Sequence, residues 1–290
     1  MSGLLTEMAQ SSLERLDAAR AKETEQALWA RANDTPPAPA LKLSLEGFDI
    51  IAECKLHSPS MGNLAANTTD VESRVAAYAQ GGAAAVSVLT EPKRFGGTLD
   101  DLVRASQILA PFNVPTMRKD FLVDPYQVME GRAAGAGGVL VIVRMLEPCH
   151  ITALLDCAAM LKMFVLLEAF DAADLAIAQE ILAARKGHSE LVLVGLNCRD
   201  LQTLAIDIER FGELANVMPT GFAAVAESGV GSTADVVRVA GWGYRVALIG
   251  TTLMNTPDPK KLVADWISAG REKAMTTSTR KQRAALVPRI

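Results

Sequence analysis

Glu53 and Lys55 stand two residues apart where the apolar run Ile50-Ile51-Ala52 ends, in the stretch Glu53-Cys54-Lys55-Leu56-His57-Ser58-Pro59-Ser60. Alternate residues of a strand share a face, so an acid and a base at that spacing point into one space. Such a pair is either a structural ion pair or an acid–base couple, because an unpaired buried charge is costly. The same placement recurs along the chain. Glu91 closes a second apolar run, Lys119 a third, Glu168 a fifth, Asn197 and Arg199 a sixth, Glu227 and Ser228 a seventh. Brought around one cavity, these groups could donate protons, remove them and orient an anionic small molecule. Two further stretches suit a phosphate: Ser228-Gly229-Val230-Gly231 and Ile249-Gly250-Thr251-Thr252 put small residues where backbone N–H groups can approach an anion. Lys55 and Ser58 would face them across the same mouth.

The elements that would position these residues are legible. Short Val/Ile/Leu/Ala runs end near Lys55, Thr90, Phe121, Val143, Phe170, Asn197, Ser228 and Gly250, at intervals of roughly 22 to 35 residues, the length of a βα unit. Helical patterns fill the gaps: Asp70 to Gln80, Thr98 to Leu109, Tyr126 to Ala134, Pro148 to Leu161, Ala172 to Lys186, Asp207 to Leu214, Ser232 to Ala240 and Pro259 to Arg271. Eight successive units fit a closed (β/α)₈ TIM barrel or an open doubly wound sheet. The barrel is the expectation, because the polar residues sit at strand ends, where a barrel of this kind has its mouth. Ahead of it, Leu5, Met8, Leu13, Leu16, Ala27 and Leu28 recur at helical spacing from Leu4 to about Arg31, and Pro36-Pro37-Ala38-Pro39 ends that pattern. The expected division is an N-terminal helical extension with its Pro-rich linker (1–40), the barrel (41–271), and a basic, flexible tail (272–290).

Composition narrows the function. Half of the 290 residues are hydrophobic and only 5% aromatic, a surplus of aliphatic residues suited to strands covered on both faces. A net charge of −4 with interspersed signs argues against nucleic acid as a partner. Four cysteines without a C-x-x-C and three scattered histidines point to a reducing compartment and no metal. No apolar run approaches the length of a membrane span, so the protein is expected in the cytoplasm, as a monomer or weak homo-oligomer, without a membrane partner.

Taken together, the stretches Glu53 to Ser60, Val88-Leu89-Thr90-Glu91-Pro92, Arg118-Lys119-Asp120-Phe121 through Gln127, Leu166-Leu167-Glu168, Gly195-Leu196-Asn197-Cys198-Arg199-Asp200-Leu201, Ala226-Glu227-Ser228-Gly229-Val230 and Ile249-Gly250-Thr251-Thr252-Leu253-Met254 resemble indole-3-glycerol phosphate synthase, collinearly from about Leu41 to Arg271. The resemblance implies a single (β/α)₈ domain with extra N-terminal helices. It implies conversion of 1-(2-carboxyphenylamino)-1-deoxyribulose 5-phosphate to indole-3-glycerol phosphate, with loss of carbon dioxide and water, in tryptophan biosynthesis and without a cofactor. The residues matching the family's catalytic groups are Lys119 as general acid, Lys55 against the substrate's anionic groups, Glu53 and Glu168 as the two carboxylates that divide an acid and a base role between them, and Asn197 orienting them. Substrate and phosphate contacts would come from Ser58, Arg199, Glu227, Ser228, Gly229, Gly250 and Thr251. An apolar pocket for the aromatic ring would comprise Phe95, Phe121, Pro59 and Leu201. Met61, Arg94, Phe170 and Thr251-Thr252 depart from the family's commoner residues. Three other readings compete: a paralogue in a specialised indole pathway, a different phosphate-binding barrel isomerase, and an inactive barrel kept as a binding subunit, which predicts erosion of the strand-end charges.

Overall fold

The computed structural model describes residues 3–45, 47–54, 57–58, 62–63, 71–185, 191–201 and 203–285. Its strands, in chain order, are β1 (Asp49–Cys54), the short β2 (His57–Ser58) and β3 (Gly62–Asn63), then β4 (Ala85–Leu89), β5 (Thr116–Lys119), β6 (Gly138–Ile142), β7 (Phe164–Ala169), β8 (Val192–Asn197), β9 (Ala223–Glu227) and β10 (Val246–Ile249). All except β2 and β3 pair in parallel in the closed order β1-β10-β9-β8-β7-β6-β5-β4, and β1 completes the ring on β4 with Ile51 opposite Ala85. β2 and β3 form a small antiparallel hairpin in the loop after β1.

Each barrel strand is an apolar run because both of its faces are covered. Ile50, Ala52 and Cys54 of β1 point outwards into the cluster beneath the helices, whereas Ile51 points inwards with Ala85, Met117, Leu140, Leu166, Leu193, Val225 and Val246. Burying each such Ile, Leu or Val contributes about 1.5–3 kcal/mol. The inner layer leaves a packed floor, and the next inward position along several strands is polar.

The surrounding helices are α1 (Gly3–Arg20), α2 (Glu25–Asp34), α3 (Val71–Gln80), α4 (Pro92–Phe95), α5 (Leu99–Leu109), α6 (Pro125–Ala133), α7 (Pro148–Met160), α8 (Ala172–Ala184), α9 (Glu209–Leu214), α10 (Thr233–Trp242), α11 (Thr251–Asn255) and α12 (Pro259–Ala285). Their starts carry the residues that satisfy free backbone N–H groups: Thr98 and Asp101 form a capping box on α5, while Asp124, Asp171 and Ser232 cap α6, α8 and α10.

The structure departs from the sequence expectation in three places. The single N-terminal helix is two, because the Thr24 hydroxyl accepts the Ala27 N–H and starts α2 afresh after α1 ends at Arg20. Helix α12 runs through the Arg271 boundary to Ala285; residues 272 to 285 contain neither Gly nor Pro, so nothing in the backbone stops it. Glu91 does not enter the cavity. Its buried carboxylate accepts the N–H groups of Lys93, Arg94 and Phe95 and is the N-cap of α4.

Candidate active site

A cavity of about 520 Å³ opens at the C-terminal ends of the strands. Among its walls are Glu53, Phe95, Lys119, Phe121, Glu168, Asn197, Arg199, Leu201, Glu227, Ser228, Gly229, Gly250 and Thr251. All of these were candidates from the sequence, and they converge because strand alternation turns the last inward residue of each strand into one space. Lys55, Pro59 and the side chain of Ser58 lie outside the described residues.

At the centre is Lys119, the last residue of β5. Its Nζ lies 3.1 Å from Glu168 Oε2 and 3.4 Å from Glu227 Oε2, and both carboxyl groups are buried. Burial alone would make the ammonium easier to deprotonate, but Glu168, Glu227 and Glu53 around it outweigh that and hold its pKa above the ordinary lysine value. Glu227 is shifted in the opposite sense chemically: burial and the neighbouring Glu168 push its pKa well above the usual carboxyl range, against the weaker pull of Lys119. The shift favours the neutral form of the Glu227 carboxyl beside Glu168, as expected when two carboxyl groups occupy one site. Asn197 Nδ2 donates to Glu168 Oε1 at 3.4 Å, and Asn197 Oδ1 accepts the Arg199 N–H at 3.0 Å, so the amide orientation is set by the backbone.

Space for Glu227 depends on a missing side chain. A Cβ at Gly195 of β8 would lie 2.0 Å from Glu227 Oε1 and 3.1 Å from Leu166 Cδ1. Gly195→Ala should displace the Glu227 carboxyl, destabilise the fold by about 1–3 kcal/mol and lower kcat at least tenfold, since a misplacement of about 1 Å near the chemistry can cost a hundredfold. Denaturant melts and steady-state kinetics on the same preparation check both parts.

Beside the polar centre lies an apolar wall. The rings of Phe95 and Phe121 stand 6.3 Å apart at 35°, and Leu201, Ile142, Phe170 and Leu5 add to it. The contributions of Leu5 and Phe170 were not foreseen. Leu5 comes from α1, which has no periodic relation to the barrel. Phe170 follows β7 and is fastened by its N–H to Asp174, its carbonyl to Arg210, and its ring against the Arg144 guanidinium at 4.6 Å. On the β9 and β10 side, the loops Ser228-Gly229-Val230-Gly231 and Gly250-Thr251-Thr252 face the cavity. Ser228 and Gly229 are consecutive residues at positive φ, 68° and 76°. A side chain at Gly229 would strike Ile206 Cγ2 at 2.7 Å and Cys198 Sγ at 2.9 Å, which leaves glycine the only residue that fits. The small residues of these two loops leave room for an anion beside the backbone.

Asp120, which the sequence did not single out, also borders the cavity. Its buried carboxylate accepts hydrogen bonds from Arg15, Thr90, Arg118 and the Phe121 N–H. Burial would raise its pKa; Arg118, Arg15 and Thr90 overcome that and bring it down to about 2. A depressed folded value means the stabilisation is present above the unfolded aspartate pKa of about 3.9 and lost as pH falls through about 2. It amounts to roughly 2–3 kcal/mol at neutral pH. Asp120→Asn should thus melt well below the parent at pH 7, with the gap narrowing between pH 4 and pH 2.

Among the described residues there is no cluster of three or more His, Cys, Asp or Glu that could hold a metal ion, and no helix long and apolar enough to cross a membrane.

Comparison with known proteins bears on this pocket. Residues 5–266 match the family described as indole-3-glycerol phosphate synthase. A protein of that name from Rhodococcus jostii (strain RHA1) is 42% identical over 246 residues, 84% of this chain and 87% of the relative. Another from Parafrankia sp. (strain EAN1pec) is 39% identical over 260 residues, 89% of this chain and 92% of the relative. Among solved structures, a thiamine phosphate pyrophosphorylase from Pyrococcus furiosus superposes with a TM-score of 0.56 at 11% identity, covering 79% of this chain and 97% of that one, a likeness of fold alone.

Proposed function

The chain belongs to the indole-3-glycerol phosphate synthase family, and from that footing we propose how its pocket divides the reaction among named groups. The enzyme is a carboxy-lyase of tryptophan biosynthesis that turns 1-(2-carboxyphenylamino)-1-deoxyribulose 5-phosphate into indole-3-glycerol phosphate, carbon dioxide and water. The observation that carries the assignment of roles is the ammonium of Lys119, held by Glu168 and Glu227 beside the Phe95–Phe121 wall.

In this reading the aromatic ring of the substrate lies against Phe95, Phe121, Leu201 and Pro59, and gains mainly from leaving water. The phosphate sits at the Ser228-Gly229 and Gly250-Thr251 loops, with Ser58 opposite and Arg199 on the wall between. This places the ketone beside Lys119. As the aromatic carbon attacks the ketone carbon, the oxygen becomes an alkoxide far more basic than an amine, so Lys119 gives up its proton readily in spite of its raised pKa. The substrate carboxylate, held by Lys55, then leaves as carbon dioxide, and its bonding pair restores the aromatic ring. The final step expels the new hydroxyl as water and removes a proton. Glu168 bonds Lys119 and Asn197 and lies beside Glu227, whose raised pKa favours its neutral form, which suits Glu168 to be the acid of that step and to recharge Lys119; Glu53 is the base. No cofactor enters the scheme.

The reading extends to a single catalytic unit over 41–271 with residues 1–40 packed against it, working in the cytoplasm as a monomer or weak homo-oligomer with no nucleic-acid partner. Its direct test is to give the purified protein the carboxyphenylamino-deoxyribulose phosphate and follow indole fluorescence. A steady rise with one carbon dioxide released per product supports it. An unchanged substrate would overturn it in favour of a different phosphate-binding barrel activity.

A further inference from the structure

We infer that Arg15, on the N-terminal helix α1, is a positioning residue for Lys119 and Phe121, acting through the Asp120 carboxylate between them. The inference rests on the role given to Lys119 above and adds a residue from outside the barrel.

Arg15 grips Asp120 with both arms of its guanidinium: Nη1 lies 2.9 Å from Oδ2 and Nη2 lies 2.8 Å from Oδ1. This fork-to-carboxylate geometry fixes direction as well as distance. The same two oxygens accept the Phe121 N–H at 2.8 Å, the Thr90 hydroxyl at 2.7 Å and Arg118 Nη2 at 3.1 Å. Asp120 thus ties down the peptide units on which Lys119 turns inwards to Glu168 and Phe121 turns onto the Phe95 ring. The buried charges here need Arg15 to balance. Arg118 is shared between Asp120 and Glu130, whose Oε2 lies 3.1 Å from its Nη1. Without Arg15, one cation would stand between two carboxylates, and Asp120 would lose the bidentate contact that sets its direction.

The other links between α1 and the barrel face are of a different kind. Arg20 with Asp124, Glu14 with Lys93 and Glu7 with Arg94 are solvent-exposed ion pairs at 2.9, 2.9 and 2.6 Å, each worth little to stability. Gln127 Nε2 donates a hydrogen bond to the Ser12 hydroxyl at 2.8 Å, and Leu5 is buried beside the cavity. These hold the helix in place; of the charged groups on α1 described above, Arg15 is the one that meets a carboxylate next to the acid.

The experiment compares Arg15→Met, Arg15→Lys and, as a control on the same helix, Arg20→Met. Arg15→Met keeps the length of the stem and removes the fork. It should lower kcat about 10- to 100-fold while KM rises by no more than about threefold, because a displaced acid is felt at the barrier and hardly in binding. Arg15→Lys, which keeps the charge but makes a single contact, should fall between Arg15→Met and the parent in kcat with a melting temperature close to the parent's. Arg20→Met should keep parental kcat. Parental kcat in Arg15→Met, or equal losses in Arg15→Met and Arg20→Met that follow melting temperature, would overturn the inference. If Arg15→Met does not fold, Arg15→Lys decides by the same reading: reduced kcat at parental stability supports it and parental kcat overturns it. Lys119→Ala separates this from the reading it rests on. An inactive Lys119→Ala with a parental Arg15→Met sinks only the role of Arg15, whereas an active Lys119→Ala sinks the role of the lysine itself.

Discussion

Lys119→Ala should lower kcat about a thousandfold, the middle of the range for a positioned general acid and equivalent to about 4 kcal/mol of barrier. KM should move little, because the aromatic wall and the anion loops are untouched. The substitution also removes the cation from among Glu53, Glu168 and Glu227, and buried carboxyl groups left in that state take up protons in preference to remaining charged. The melting temperature of the variant is therefore expected to fall as pH rises from 5 to 8, since folding then has to retain protons that the unfolded chain has released. In the parent, the lysine has a raised folded pKa, so its stabilisation is complete below the unfolded value of about 10.4 and is in place throughout that window. Turnover and melting curves at the two pH values check both halves. Parental turnover would take the acid role away from this residue.

The second large effect is a contrast between two glutamates that touch the same ammonium. Glu168→Gln should cost about 10²–10³ in kcat, because the amide can neither pass a proton to Lys119 nor release one to the departing hydroxyl. Glu227→Gln should cost less than about tenfold, because the raised pKa of Glu227 favours the neutral carboxyl, and a neutral amide of the same shape stands in for it and can donate to Glu168. Stability should move in the direction that favours the variant. The raised folded pKa of Glu227 means that the native state keeps a proton which the unfolded chain loses above about pH 4.3, so parental stability declines as pH climbs towards that folded value. Gln does not titrate, and Glu227→Gln should gain on the parent from pH 5 to pH 8. Equal activity losses in the two variants would show that Glu227 works as a titrating group and not as a neutral neighbour of Glu168.

Much of this centre can be anticipated along the chain because strand alternation is local. Once Ile51 faces the interior, Glu53 must follow it, and the same two-residue step carries Met117 to Lys119, Leu166 to Glu168, Gly195 to Asn197 and Val225 to Glu227. Local rules also mislead just past the end of a strand. Glu91 follows the same apolar pattern as the others, yet the chain turns there into Pro92, and the carboxylate is spent on three backbone N–H groups of α4. Whether a strand-end acid faces the mouth or caps the next helix depends on where the strand stops, and a shift of one residue exchanges the two outcomes.

The sequence by itself determined the βα alternation, the inward identity of the acidic, basic and amide side chains, and the small residues in the loops after β9 and β10, since each depends on spacing within a few neighbours. Only the tertiary structure decided that Lys119 bonds both Glu168 and Glu227, that Gly195 vacates the space filled by the Glu227 carboxyl, that Leu5 and Phe170 border the cavity, and that Arg15 reaches Asp120 from 105 positions away. These are contacts between segments distant in the chain. Their energies depend on distance and on exclusion of water, and neither quantity exists until the barrel closes.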